Sequence, residues 1–233
     1  RIILCDLTYV QQTIASDVIP AAIGNIASFT KNELTESLDF NLFKYPDTLT
    51  RHLESLQPNS SPHIVGFSNY CWNSKLSLAF SKVIKKFFPK TIIVFGGPNL
   101  PIYVEEQENF LAKNPVIDFY IAKEGEIGFS ILTRALIQSD FDKSSITNDI
   151  PNLLFIDNEG QFQKNEIQIR MQLESVPSPY TEGFLDPFFD GKLLPIIQSN
   201  RGCPFKCTFC TEGMKYWVKI YKYSQDKIND ELK

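Results

Sequence analysis

Apolar positions along the first 140 residues switch repeatedly between a strand-like run and a helical spacing. Residues 2–5 (IILC) form a short continuous apolar run. Ile19, Ala22, Ile23, Ile26 and Ala27 then recur at helical intervals, with Asp17 as a candidate cap and Pro20 in the first turn. The pattern repeats four times. Residues 38–43 (LDFNLF) alternate as a strand does, and Leu49, His52, Leu53 and Leu56 share one helical face. Residues 63–68 (HIVGFS) predict a buried strand, followed by a helix carrying Leu76, Ala79, Phe80, Val83, Ile84 and Phe87. Residues 91–97 (TIIVFGG) precede a shorter helix with Val104, Gln107, Phe110 and Leu111. Residues 117–122 (IDFYIA) precede one with Gly128, Ile131, Leu132, Ala135 and Leu136.

Five strand–helix units whose strands are nearly all apolar imply an α/β fold, a parallel sheet with helices on both faces, flavodoxin-like or Rossmann-like. Ligands of such sheets sit at the carboxyl ends of the strands, which directs attention to the loops at 6–12, 68–73, 96–101 and 123–126. Residues 153–169 predict a hairpin turning at Asn158, Glu159 and Gly160. A proline- and glycine-rich stretch at 175–192 has linker composition, and residues 193–199 (LLPIIQS) predict a fresh strand. The expected organisation is a first domain over 1–172, a linker over 173–192, and the start of a second domain over 193–233.

Composition adds limits. With 43% hydrophobic and 21% charged residues the chain has the makings of a packed core. It has no apolar run of membrane-spanning length and no leader-like segment, so the expected setting is cytoplasmic and reducing, with no membrane partner. The net charge of −4, with no basic stripe, argues against nucleic-acid binding. Residues 201–233 carry seven Lys/Arg against four Asp/Glu, a local +3 that leaves −7 for the rest. Because the sequence starts at Arg1 rather than Met and stops within a polar, helix-like stretch, it is expected to be a piece of a longer protein.

In a reducing setting, clustered cysteines suggest metal ligation or catalysis rather than disulfides, and there are five in all. Cys5 and Cys71 stand apart and are expected to be small buried hydrophobes. Cys203, Cys207 and Cys210 are packed together as C-x3-C-x2-C, with Gly202 and Pro204 shaping the loop. A structural zinc site takes four ligands, and the two histidines, His52 and His63, belong to the first domain. Three thiolates suit a [4Fe–4S] cube that keeps one iron open. "RGCPFKCTFC" resembles the signature of radical S-adenosylmethionine (SAM) enzymes. That resemblance implies that Cys203, Cys207 and Cys210 ligate the cluster and that the open iron chelates SAM. It also implies a contact from Phe209 near the adenine, and cleavage of SAM to a 5′-deoxyadenosyl radical. Arg201 reads as a loop cap, Lys206 as exposed, and Met214, Tyr216 and Trp217 as core; no catalytic residue is singled out beyond the cluster ligands.

A flavodoxin-like domain ahead of this motif is similar to the cobalamin-binding radical SAM family, and "GFSNYCWN", "FGGPNLP", "AKEGE" and "VPSPYTEGFLD" look like its segments. The resemblance implies cobalamin contacts at Ser68, Asn69, Tyr70, Trp72, Gly96, Gly97, Pro98, Glu124 and Gly125. Gly96 and Gly97 permit close backbone approach, and Ser68, Asn69 and Ser74 offer polar partners to the cofactor's nucleotide tail. Glu124-Gly125-Glu126 either meets ring amides or caps the next helix. Many cobalamin domains carry D-x-H-x-x-G after the first strand. Here Thr8 stands at the histidine position and Gln11 at the glycine, so the expected cofactor is base-off cobalamin without a histidine ligand, with Tyr70 or Trp72 shielding the cobalt. The implied function is the N-terminal portion of an enzyme for methyl transfer to an unactivated centre or for a radical rearrangement or cyclisation. It would act on a small-molecule substrate, with flavodoxin or ferredoxin as reductant. The alternative is a non-catalytic cofactor-binding module with a structural metal site.

Overall fold

The structure is a computed structural model that describes residues 1–10, 16–57, 60–165, 169–210, 213 and 215–233. Gln11 and Met214 therefore lie outside the described residues, as does the end of the expected hairpin. Strands β1 (Ile2–Cys5), β2 (Phe40–Phe43), β3 (Ile64–Ser68), β4 (Ile92–Gly96) and β5 (Phe119–Ile121) run parallel in the order β2-β1-β3-β4-β5. This is the flavodoxin-like order expected from the sequence. The hairpin extends the same sheet with two antiparallel strands, β6 (Leu153–Ile156) and β7 (Phe162–Lys164), turning at Asp157–Gly160.

Alternation along the strands divides the core into two layers. Ile2, Leu4, Ile64, Ile92, Val94, Phe119 and Ile121 face α1 (Ala21–Glu33) and α5 (Glu126–Gln138), packing on Ile23, Ala27, Phe129, Leu132 and Leu136. Ile3, Cys5, Val65, Phe67, Ile93, Phe95 and Tyr120 face the other helices, α2 (Pro46–Ser55), α3 (Ser74–Phe87) and α4 (Val104–Lys113), through Leu49, Ile84 and Leu111. Cys5 is buried, and desolvation pushes its thiol pKa well up. Cys71, expected to be buried as well, is exposed on the loop after β3. Of the apolar face assigned to α3, Leu76, Phe80 and Ile84 pack on the core, while Val83 and Phe87 stand in solvent and Ser77 and Ser81 are buried in their stead.

Three expectations change. Asp17 does not cap α1; its carbonyl accepts the Leu194 N–H at 2.8 Å, and Pro20 occupies the capping position. The stretch of linker composition is a packed strap. Leu173 and Val176 bury against Phe29, and Leu185, Phe188 and Leu193 close around Ile19. Residues 193–199 do not form the expected strand: Leu194 makes one bridge to Val18, and Leu194, Ile196 and Ile197 are exposed. A strand needs a ladder of backbone partners, and beyond that single bridge at Leu194 no described residue extends one along 193–199. The chain continues into a two-residue ladder, β8 (Asn200–Arg201) on β9 (Tyr221–Lys222), and a short helix, α6 (Gln225–Glu231), capped by the Ser224 side chain.

Packing of the strap yields a prediction with a decided sign. A Cβ at Gly24 would lie 2.8 Å from the Pro179 Cβ and 2.9 Å from Leu185. In an unencumbered helix Gly→Ala gains about 1 kcal/mol, whereas overpacking here costs about 1–3 kcal/mol. Gly24→Ala should therefore lower the urea midpoint and expose residues 175–192 to protease; a gain in stability would show the strap to be loose.

Candidate functional site

Strand register brings four carboxyl ends side by side, since Cys5 pairs with Phe67, Ser68 with Gly96, and Gly96 with Ile121. The polar residues just beyond them therefore converge on one edge of the sheet. At its centre is Asp6, whose Oδ2 accepts the Lys44 ammonium at 2.8 Å and whose Oδ1 accepts the Ser68 hydroxyl at 2.5 Å. Asn73 Nδ2 donates to Ser68 Oγ at 3.1 Å, and Asn73 Oδ1 takes the Tyr70 N–H at 2.8 Å, which fixes the turn at 69–73. Lys44 is fully buried and Asp6 nearly so. A charge pair there is tolerated only because every strong acceptor is matched. No sequence pattern singles out Lys44, which follows β2 and meets Asp6 only through the pairing of β2 with β1.

Beside this network Asn69 donates to the Tyr120 hydroxyl at 3.1 Å, and that hydroxyl donates to the Gly97 carbonyl at 2.8 Å. Gly97 has φ of +118°, and a Cβ there would fall 2.9 Å from the Asn69 carbonyl. Only glycine fits. Ser68 and Asn69 thus spend their side chains on holding the loops. Gly96 is half-buried and Pro98 is exposed on the same edge. The rings of Tyr70 and Trp72 stack at 4.5 Å, nearly parallel, and Trp72 Nε1 is buried with no acceptor among the described residues. Thr8 is buried; its hydroxyl accepts the Ser16 N–H at 2.8 Å and closes the loop after β1. His63 lies just before β3, at the far end of the sheet, and His52 packs its ring on Phe43 at 5.0 Å.

Glu124 follows β5, and its carboxylate fastens the trailing segment. Its Oε2 accepts from Arg170 Nε at 3.0 Å, the Met171 N–H at 2.9 Å and the Tyr216 hydroxyl at 2.9 Å. Glu126, in the first turn of α5, pairs with Arg201 at 2.6 Å, and Glu124 Oε1 stands 3.8 Å from the same guanidinium. Burial opposes the charge on Arg201, yet the Glu126 carboxylate outweighs it, so its pKa is raised above the ordinary arginine value. The Tyr216 phenol is pushed up by burial and by Glu124, which keeps it a donor. Arg170 lies within 5.0 Å of the ring centres of Tyr216, Trp217 and Tyr221. Arg201, expected as a loop cap, and Tyr216, expected in the core, are therefore parts of a junction between the sheet edge and the trailing segment. Gly125 is the N-terminal flank of α5, and a Cβ added there would lie 3.2 Å from Ile26 Cδ1.

The cysteine loop hangs from this junction. Gly202 has φ of +109°, and a Cβ there would overlap the Lys219 carbonyl. Cys203 is half-buried, Cys207 and Cys210 are exposed, and Phe209 is 90% exposed with no core around it. Among the described residues no three His, Cys, Asp or Glu side chains converge as a ready metal site, so the three thiols are close in sequence without being pre-assembled. A cleft of about 400 Å³ opens at the opposite end of β5, lined in part by Asp118, Lys143 and Asp157. Its Asp118 carboxylate is already paired with Lys85 and Lys143, both at 2.6 Å, and offers little to a ligand. No described helix is long and apolar enough to cross a membrane.

No protein-family model matches the chain. It is 25% identical over 177 residues to the cobalamin-dependent radical SAM methyltransferase TokK of Streptomyces tokunonensis, covering 73% of this chain and 25% of that protein. It is 22% identical over 221 residues to the 2-(S-pantetheinyl)-carbapenam-3-carboxylate methyltransferase of Streptantibioticus cattleyicolor, covering 92% of this chain and 31% of that one. Among solved structures, the cobalamin-dependent SAM radical enzyme OxsB, with aqua-cobalamin and SAM bound, superposes with a TM-score of 0.74 at 19% identity over 99% of this chain and 31% of its own. The chain thus spans about a quarter to a third of these proteins.

The buried pair at the sheet edge predicts that Lys44→Met, which leaves Asp6 charged and unmatched, destabilises the fold by at least about 3 kcal/mol in urea unfolding. A loss below about 1 kcal/mol, the range of exposed pairs, would show that water reaches Asp6.

Proposed function

Proceeding from the likeness in sequence and fold to cobalamin-binding radical SAM enzymes, we propose that this chain is the cobalamin- and cluster-bearing portion of a radical SAM methyltransferase. The observation that carries the reading is the junction itself. A C-x3-C-x2-C loop is fastened to the carboxyl-end edge of a flavodoxin-like sheet, so two candidate cofactor sites share one side of the molecule.

The residues suit both groups. Gly97 lets the loops after β3 and β4 close on each other, since any side chain there would strike Asn69, and Trp72 Nε1 is a buried donor lacking an acceptor, as the amide-rimmed corrin of cobalamin would supply. Tyr70 and Trp72 present a flat aromatic pair beside that edge. Ser68, Asn69, Asn73 and Asp6 keep the loops rigid, so a ligand meets a prepared surface. Glu124 and Gly125 border the surface from β5. At the other site, Cys203, Cys207 and Cys210 are unpaired thiols of a soft donor set suited to iron, with Phe209 beside the last of them.

When bound, a cluster with one open iron supplies an electron to SAM, and a base-off cobalamin supplies a methyl carrier. The protein's part is to bind, orient and screen. Lys44 and Asp6 neutralise each other below the sheet edge, so that pair presents no net charge to a corrin. The exposed apolar side chains of Ile196, Ile197, Phe205 and Phe209 are available to further strands of a barrel that would enclose SAM and a small-molecule substrate. A flavodoxin or ferredoxin would supply the electron, in a cytoplasmic setting. Alone, the chain should bind cofactors without turnover.

Anaerobic reconstitution with iron and sulfide should yield a brown protein with about four irons per chain and an EPR signal perturbed by SAM. Hydroxocobalamin should bind with a base-off spectrum and quench tryptophan emission. One zinc per chain with no iron, or a cobalt spectrum showing nitrogen ligation by the protein, would overturn the respective half of the proposal.

A further inference from the structure

The three cysteines are not held alike. The Cys203 N–H donates to the Trp217 carbonyl at 2.8 Å. The carbonyls on either side of it, Tyr216 and Lys219, accept from one Arg170 nitrogen at 2.6 and 3.3 Å. Arg170 is paired with Glu124, and Tyr216 donates to the same carboxylate. Two residues before Cys203, Arg201 is buried against Glu126. Gly202 between them touches the Lys219 carbonyl so closely that no Cβ fits. Cys203 is thereby fastened from both sides to the end of β5 and the start of α5. Cys207 and Cys210, in contrast, close within their own loop. The Cys210 N–H donates to the Cys207 carbonyl at 3.2 Å, the Gly213 N–H to the Cys210 carbonyl at 3.0 Å, and the flanking Phe205 is exposed.

We infer that Glu126 and Arg201 are positioning residues that fix Cys203 as the anchored thiol, onto which Cys207 and Cys210 close when metal arrives. The inference rests on the proposed cluster site. The advantage is entropic: ordering a loop around a metal costs less when one ligand and its backbone are already fixed. The fastening also sets how far the cluster stands from the sheet edge, because both ends of the latch lie on β5 and α5. Charge balance explains why this segment is a latch rather than an anion site. Glu124 and Glu126 are matched by Arg170 and Arg201.

The test uses the metal-free chain, iodoacetamide as probe and mass spectrometry to read each cysteine. Cys203 should be alkylated about tenfold more slowly than Cys207 and Cys210, as local fastening requires. Glu126→Gln should remove most of that difference and lower iron uptake in reconstitution, with cobalamin affinity unchanged. The charge-swapped pair Glu126→Arg with Arg201→Glu should restore both, which a general loss of stability would not. Gly202→Ala, which forces the loop off Lys219 without touching the ionic pair, provides a second route if Glu126→Gln does not fold. Equal alkylation of all three cysteines in the starting chain, or protection of Cys203 that survives in every folded variant, would overturn the inference. If Cys203 behaves as expected but no version takes up iron, the cluster reading fails while the latch stands.

Discussion

One carboxylate oxygen, Glu124 Oε2, receives donors from residues 46, 47 and 92 positions further along the chain. Around it the trailing segment acquires its place relative to the sheet. A buried carboxylate oxygen with three donors is held in one geometry, because each donor lost leaves charge stranded in a poor dielectric. Arg170 extends the constraint to the backbone of 216–219, and Arg201 with Glu126 doubles it. The cysteine loop is positioned by polar matching at its root, while its tip is left to solvent.

The same logic operates at the other end of the carboxyl-end edge. Asp6, Lys44, Ser68 and Asn73 form a matched polar group under the loops after β1 and β3, where the sheet order reverses direction. Parallel strands expose their carboxyl ends in a row, and polar residues there must bind either one another or a ligand. In this chain most bind one another. Left over among the described residues are the aromatic pair Tyr70 and Trp72, the unmatched Trp72 indole N–H and the unmatched Glu124 Oε1. Such a surface recognises a large flat ligand by shape more than by charge.

Much of the fold is legible in order along the chain. The strands β1 to β5 are readable because most are buried on both faces, which forces an apolar run. Each intervening helix shows a 3.6-residue repeat because one of its faces meets the sheet. Local pattern misleads where burial comes from a distant partner. The strap at 173–192 looks like a linker because prolines and glycines dominate it, yet Leu185 and Phe188 find a pocket against Ile19 that no short window reveals. Residues 193–199 look like a strand because they are apolar, and have only one bridge, Leu194 to Val18, in place of a ladder. Cys71 reads as buried from its residue type and sits on a turn whose direction is set by Asn73.

Periodicity and neighbouring residues are enough to specify the α/β layering, the carboxyl-end loops as the place for ligands, and the thiol spacing. Packing in three dimensions was needed to show that Glu124 and Glu126 fasten the cysteine loop rather than cap a helix, and that Lys44 neutralises Asp6. Those pairings join residues 38 to 92 positions apart, and ionic partners at such separations are chosen by how the strands stack, which no local pattern encodes.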